Sequence, residues 1–189
     1  MNYNQFKIAF WHPFGSHAGE TPEKIITRKS GEIETEGWTL WSFKPRLMLE
    51  EWRQQIREAG DPPVLVFCSD SSKAKDPKPS DNPPRFTQYT VIGENNWRVI
   101  PKTIKVPHPI NNQKEGTAFS AFVVQRIFRP IEGFSLPAVE WFSQDHQWEP
   151  RAMFPRNEFM IRIGGTVPTR PVYAILELKA PEYLARVRL

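Results

Sequence analysis

The stretch FWHPFGSHAGET, Phe10 to Thr21, gathers His12, Ser16, His17 and Glu20 between an apolar run and the start of a helix. An imidazole beside a carboxylate can move protons, and a neighbouring hydroxyl can donate, accept or attack. Gly15 and Gly19 would let a ligand approach the backbone closely. A loop that ends on a helix N-terminus also suits an anion. A phosphate-cradling loop, however, needs G-x-x-x-x-G-K-[ST]. GSHAGET is one residue short of that spacing and sets Glu20 where the lysine belongs. A carboxylate there repels phosphate, so the segment reads as a capped turn bordering a site.

The remaining chemistry is equally bounded. Four histidines occur, His12, His17, His108 and His146, and their spacing matches no metal-ligand motif. No metal and no cofactor is expected. Ser16 lacks the G-x-S-x-G context of an activated nucleophile. Cys68, closing an apolar run, reads as a small buried hydrophobe. If the chain is an enzyme, His17, Glu20 and Asp70 are the candidates for catalysis.

A different set of types suits recognition of a flat ring. Trp11 and His12 close one predicted strand, Trp38 and Trp41 flank a second, and Ser69 and Asp70 end a third. Should those ends converge, indoles would face groups able to read a base edge, as in proteins that hold an unstacked base. The candidate ligand-binding set is therefore Trp11, His12, Ser16, His17, Trp38, Trp41, Ser69 and Asp70. Trp38 and Trp41 lie on opposite sides of their strand, so at most one is expected in any pocket.

Charge distribution adds a partner class. Residues 1–72 hold eight basic and ten acidic side chains, whereas 73–114 hold eight and three, and 151–189 hold seven and three. A segregated cationic surplus within a formal net charge of +4 suits RNA or DNA. Lys73, Lys75, Lys78, Arg85, Arg98 and Lys102 are the candidate contacts to a phosphate backbone. No apolar run is long enough to span a membrane, and the N-terminus lacks a signal-peptide pattern. The single cysteine fits a reducing, cytoplasmic setting. Oligomeric state is left open.

These groups must be positioned by a mixed fold. The 189 residues fit one domain, and nineteen prolines argue against an all-helical one. FKIAFW (Phe6 to Trp11) reads as a strand. Thr21-Pro22 opens a helix that carries Ile25, Ile26 and Ile33 on one face and stops at Gly37. WTLWSF is a second strand, and Pro45 to Ala59 a second helix with Met48, Leu49, Trp52 and Ile56 as its stripe. PVLVFC follows as a third strand. Residues 71–85 read as a mobile basic loop, and Phe86 to Ile92, Trp97 to Ile104, Ala118 to Phe128, Phe159 to Ile163 and Val172 to Leu178 as further strands. A short helix is expected near Pro181 to Arg186. The fold class is α+β: a curved mixed sheet or small β-barrel with two N-terminal helices packed on it.

That order of elements, with PVLVFCSDS and a β-rich half containing NNWRVIPKTIKVPHPI and TAFSAFVVQRIF, resembles the PUA-like superfamily. Within it, the similarity is to modified-base readers with EVE, YTH-like or ASCH domains. The resemblance implies a small curved barrel with flanking helices that recognises RNA or a flipped, modified base. It carries over to Trp38, Trp41, Ser69 and Asp70 alone, because FWHPFGSHAGET has no counterpart in the EVE opening. Three functions follow as expectations: a nucleic-acid-binding module with an aromatic pocket, a small enzyme acting through residues 12–21 on a polar or nucleotide-like substrate, or a protein-interaction domain whose tryptophans are structural.

Overall fold

The computed structural model describes residues 8–44, 48–70, 84–108, 118–136, 139–151, 159–163 and 170–189. Five elements alternate first: β1 (Ala9–Phe14), α1 (Pro22–Glu36), β2 (Thr39–Phe43), α2 (Leu49–Glu58) and β3 (Leu65–Asp70). Ten strands follow: β4 (Gln88–Val91), β5 (Arg98–Val99), β6 (Phe119–Phe128), β7 (Ser135–Leu136), β8 (Val139–Phe142), β9 (Trp148–Arg151), β10 (Phe159–Ile163), β11 (Arg170–Pro171), β12 (Ala174–Leu178) and β13 (Leu184–Arg188).

One sheet runs β5-β4-β13-β6-β12-β3-β1-β10-β8-β9, with β2 added to β6, and β7 pairs β11 separately. The β1–β3 pair is parallel and the other pairings are antiparallel. The sheet is curved and open rather than closed into a barrel, and both helices pack on it. A register shift at Glu177/Leu178, where β12 leaves β6, adds local twist.

Alternation along the strands separates the apolar residues into two faces. Phe10, Phe14, Trp41, Phe43, Val66, Phe122 and Leu176 point to the helix-covered face, where Ile25 and Ile26 of α1 and Leu49, Trp52 and Ile56 of α2 meet them. The opposite face holds two further clusters. Leu40, Tyr89, Ala121, Val123 and Val187 lie under Ile100, Ile104 and Val106. Ala9, Trp11, Leu65, Phe67, Ile161 and Ile175 lie under Leu136 and Val172. Trp52 is sealed between Phe10, ring centroids 5.1 Å apart, and Phe43 at 6.5 Å.

Local chemistry explains the helix limits. Thr21 caps α1 by accepting from the Lys24 N–H at 3.4 Å. Gly37 ends the helix at φ 79°, a left-handed turn that favours glycine, and donates to the Ile33 carbonyl at 2.8 Å.

Several expectations need correction. The first strand begins at Ala9 and runs through Pro13. Among the described residues, β10 pairs with Ala9 to Trp11 and with nothing beyond Trp11, so no described strand on that side asks Pro13 for an N–H. No helix forms over Pro181 to Arg186. Leu184–Arg188 is β13, whose Ala185 and Val187 enter the core while Arg186 and Arg188 point away. The strands over 139–142 and 148–151 were not anticipated, since their apolar alternation is weak. Most of the proposed basic loop, with Lys73, Lys75 and Lys78, falls outside the described residues. Among the described residues, no helix is long and apolar enough to cross a membrane.

Because Trp52 bridges α2 and two strands, Trp52→Ala is expected to cost about 3–5 kcal/mol in a urea titration. Its buried indole N–H has no acceptor among the described residues. Trp52→Phe keeps a ring, drops that donor and is therefore expected to cost clearly less.

Candidate functional site

The opening segment folds into a minute hairpin. Ala18 and Gly19 both take positive φ, 50° and 78°, as a two-residue turn with primed geometry requires. His17 and Glu20 become directly opposed partners, exchanging backbone bonds of 3.0 and 2.9 Å. The turn therefore brings the predicted imidazole and carboxylate side by side.

Their surroundings favour anchoring over proton transfer. Arg28 of α1 grips the Glu20 carboxylate with Nε at 2.9 and 3.2 Å and Nη2 at 2.6 Å. Its Nη1 donates to Glu32 Oε1 at 2.8 Å and to the Lys105 carbonyl at 2.9 Å. Lys29, buried beside it, donates to Glu32 Oε2 at 2.8 Å, Thr39 Oγ1 at 3.1 Å and the same carbonyl at 3.0 Å. Glu32 further accepts from the Lys105 N–H at 3.0 Å and from the Thr39 hydroxyl. One network thus joins the 17–20 turn, α1, β2 and the 104–107 segment.

Electrostatics follow from this packing. Burial holds His17 below the usual imidazole range, and the Arg28 charge adds to it against the opposing pull of Glu20 and the Pro107 carbonyl. Hydrogen bonding from Arg28 holds Glu20 below the usual carboxylate range. Glu32 is also lowered, although its burial acts the other way, because Lys29, Thr39 and the Lys105 N–H all favour its ionised form. Burial pushes the Lys29 ammonium down to about 8 while Glu32 resists. It therefore stays protonated at neutral pH, as its three acceptors demand.

Beside this network lies a cavity of about 360 Å³. Its apolar wall is formed by Phe14, Trp41 and Phe43, and its polar wall by Ser16, His17, Glu20, Arg28, Ser42 and Lys44. Phe14 and Trp41 meet with ring centroids 5.0 Å apart. Trp41 Nε1 donates to His12 Nε2 at 3.0 Å, so that nitrogen carries a lone pair and both rings are fixed at right angles.

The predicted site residues divide clearly. His12, Ser16, His17, Glu20 and Trp41 line the cavity. Trp11 does not: it is one residue from His12 and therefore on the other face, sealed at 1% exposure. Trp38 packs on Tyr89, ring centroids 5.2 Å apart, in the cluster under the 100–106 segment. Ser69 is buried outside the cavity lining. The β1–β3 register sets Asp70 opposite Phe14, but the Asp70 side chain lies outside the described residues. Cys68 is buried and its thiol is pushed up, the state of an inert core residue. Of the proposed backbone contacts, Arg85 and Lys102 are exposed, while Arg98 is engaged by Glu94 and by Glu182 at 3.6 Å.

Arg28, Lys29, Glu32 and Lys44 were missed from sequence. A signal existed: Lys29 and Glu32 fall in the same helical stripe as Ile25 and Ile26, where opposite charges must be buried as a pair. No family model, no curated protein and no solved structure matches the chain.

Two outcomes follow from the network. Glu32→Ala strands the Lys29 charge in the interior and is expected to cost about 3–5 kcal/mol by chemical denaturation. In thermal melts across pH, His17 binds its proton less readily when folded. Stability should therefore begin to fall as pH drops below about 6.5, where the unfolded chain takes up the proton first. Glu20 and Glu32 add a second loss below about pH 4.3, as pH falls through their lowered values. His17→Gln should abolish the first limb and keep the second.

Proposed function

We propose that the cavity holds a single planar heterocycle of nucleobase type, presented by RNA or DNA, in a PUA-like binding module of the reducing cytoplasm. The observation that carries this reading is that one cavity is lined both by the aromatic Trp41, Phe14 and Phe43 and by the polar Ser16, His17 and Ser42. Apolar faces take the ring, and convergent polar groups set its orientation. At about 360 Å³ the space sits near the lower bound of ligand sites, suited to one nucleoside rather than a larger molecule.

Charge supports the same partner. Arg28 and Lys29 are neutralised by Glu20 and Glu32. Among the described lining residues, Lys44 is the cation without a carboxylate partner, and it is exposed beside the cavity. It would meet a phosphate flanking the inserted base, with Arg85 and Lys102 available farther along the strand. Glu20 is fully engaged by Arg28, so nothing in this arrangement favours catalysis over binding.

The test is titration with single-stranded RNA and DNA oligonucleotides, with and without modified bases, followed by tryptophan fluorescence. Quenching is expected in the wild type, to be largely absent in Trp41→Phe, and to weaken as salt rises. Lys44→Gln should lower affinity by a similar factor for all sequences and reduce the salt slope. A signal unchanged by every oligonucleotide would remove the proposal.

A further inference from the structure

The end of the sheet formed by β13, β4 and β5 carries cations that neither the buried network nor the cavity uses. Arg188 stands opposite Gln88, and Gln88 opposite Val99, so these three side chains share one face. Arg186, two residues from Arg188, joins them, whereas Ala185 and Val187 turn into the core on the other side. Toward the middle of the sheet this face is covered by α2, whose Glu50 meets Arg186 at 3.6 Å. At the end of the sheet it meets solvent, and Val99 there is 76% exposed.

The Arg188 guanidinium is held in place without being neutralised. Its Nε donates to Gln88 Oε1 at 2.7 Å, and its Cζ lies 4.0 Å from the centre of the half-buried Trp97 ring. Among the described residues, no carboxylate pairs with it and neither Nη meets an acceptor. Both terminal nitrogens therefore stand as a fork, the geometry that grips two oxygens of one anion. Arg186 is only loosely engaged by Glu50, since both side chains are well exposed and such a pair is worth little.

We infer that this face is a clamp for the phosphodiester backbone of single-stranded RNA or DNA, Arg188 and Arg186 gripping successive phosphates and Trp97 positioning the Arg188 fork. Two observations favour that occupant. Residues i and i+2 of a strand lie about 7 Å apart, which matches the spacing of neighbouring phosphates along an extended chain. Trp97 and the exposed Val99 add apolar surface beside the cations, as the sugars and bases of a nucleic acid require and a purely acidic peptide does not. Arg186 lies opposite Ser120, and Ser120 opposite Phe43 of the cavity wall, so two strand spacings, about 10 Å, separate the clamp from β2. That one strand serves both sites rests on the base-binding reading; the clamp itself does not.

The experiment is fluorescence anisotropy of dye-labelled oligouridine and oligothymidine on the full chain over a range of salt. Arg188→Gln should weaken binding roughly 10-fold. It should also reduce the salt slope by about 0.7, the share of one phosphate. Arg188→Lys should recover the slope but not the full affinity, because an ammonium is no fork. Trp97→Leu should lower affinity with the slope unchanged; if it does not fold, the two Arg188 variants decide the matter. Arg126→Gln, which removes an exposed cation near the other end of β6, is the control for bulk charge. A loss in Arg188→Gln no greater than in Arg126→Gln overturns the clamp and leaves the cavity reading intact, as does a polyglutamate peptide bound as tightly with the same dependence on Arg188. Loss in Arg188→Gln with none in Trp41→Phe supports the clamp and removes the cavity reading. If no oligonucleotide binds the wild type, both fall.

Discussion

The buried carboxylate of Glu32 is the constraint on which the site depends. It collects Arg28 and Lys29 from its own helix, the Thr39 hydroxyl from β2 and the Lys105 N–H from the segment over the lower cluster. Separating any of these would leave an unpaired charge in a low-dielectric interior, a penalty of several kcal/mol. These three elements beside the cavity are therefore held to one geometry. Arg28 then extends the same constraint to the 17–20 turn by holding Glu20 with two of its nitrogens.

On that scaffold the aromatic residues take two kinds of role. Trp11 and Trp52 are sealed in separate parts of the core and fill space between layers. Trp41 differs because its N–H is spent on His12 and its ring forms a cavity wall. The indole and the imidazole hold each other, so neither ring is free to change rotamer independently.

β2 pairs with β6 along one edge, and among the described residues no strand pairs with its other edge. A strand with a free edge usually invites another strand, which natural sheets avoid by covering or shortening it. Here the 104–107 segment, tied down at Lys105, packs on the Leu40 side of β2.

Much of the fold was legible in the residues themselves. Thr21-Pro22 and Gly37 bound α1, the stripe Leu49, Trp52 and Ile56 marked α2, aromatic and β-branched residues marked β2, the apolar run PVLVFC marked β3 and alternation marked β6, because capping, composition and periodicity are local properties of the chain. The same local reasoning placed His17 near Glu20 and brought His12, Ser16, His17 and Trp41 to one site. It failed where a residue's role depends on a distant partner. Trp11 was grouped with His12 although alternation divides them, and in place of a helix over Pro181 to Arg186 the residues Leu184–Arg188 form a strand because they pair between β4 and β6. Sequence alone determined the two helices, the first three strands, β6 and the residue types at their ends. Tertiary structure decided which ends share a cavity, which charges are buried together and which strand edge stays open, since those outcomes rest on contacts between residues far apart in the chain.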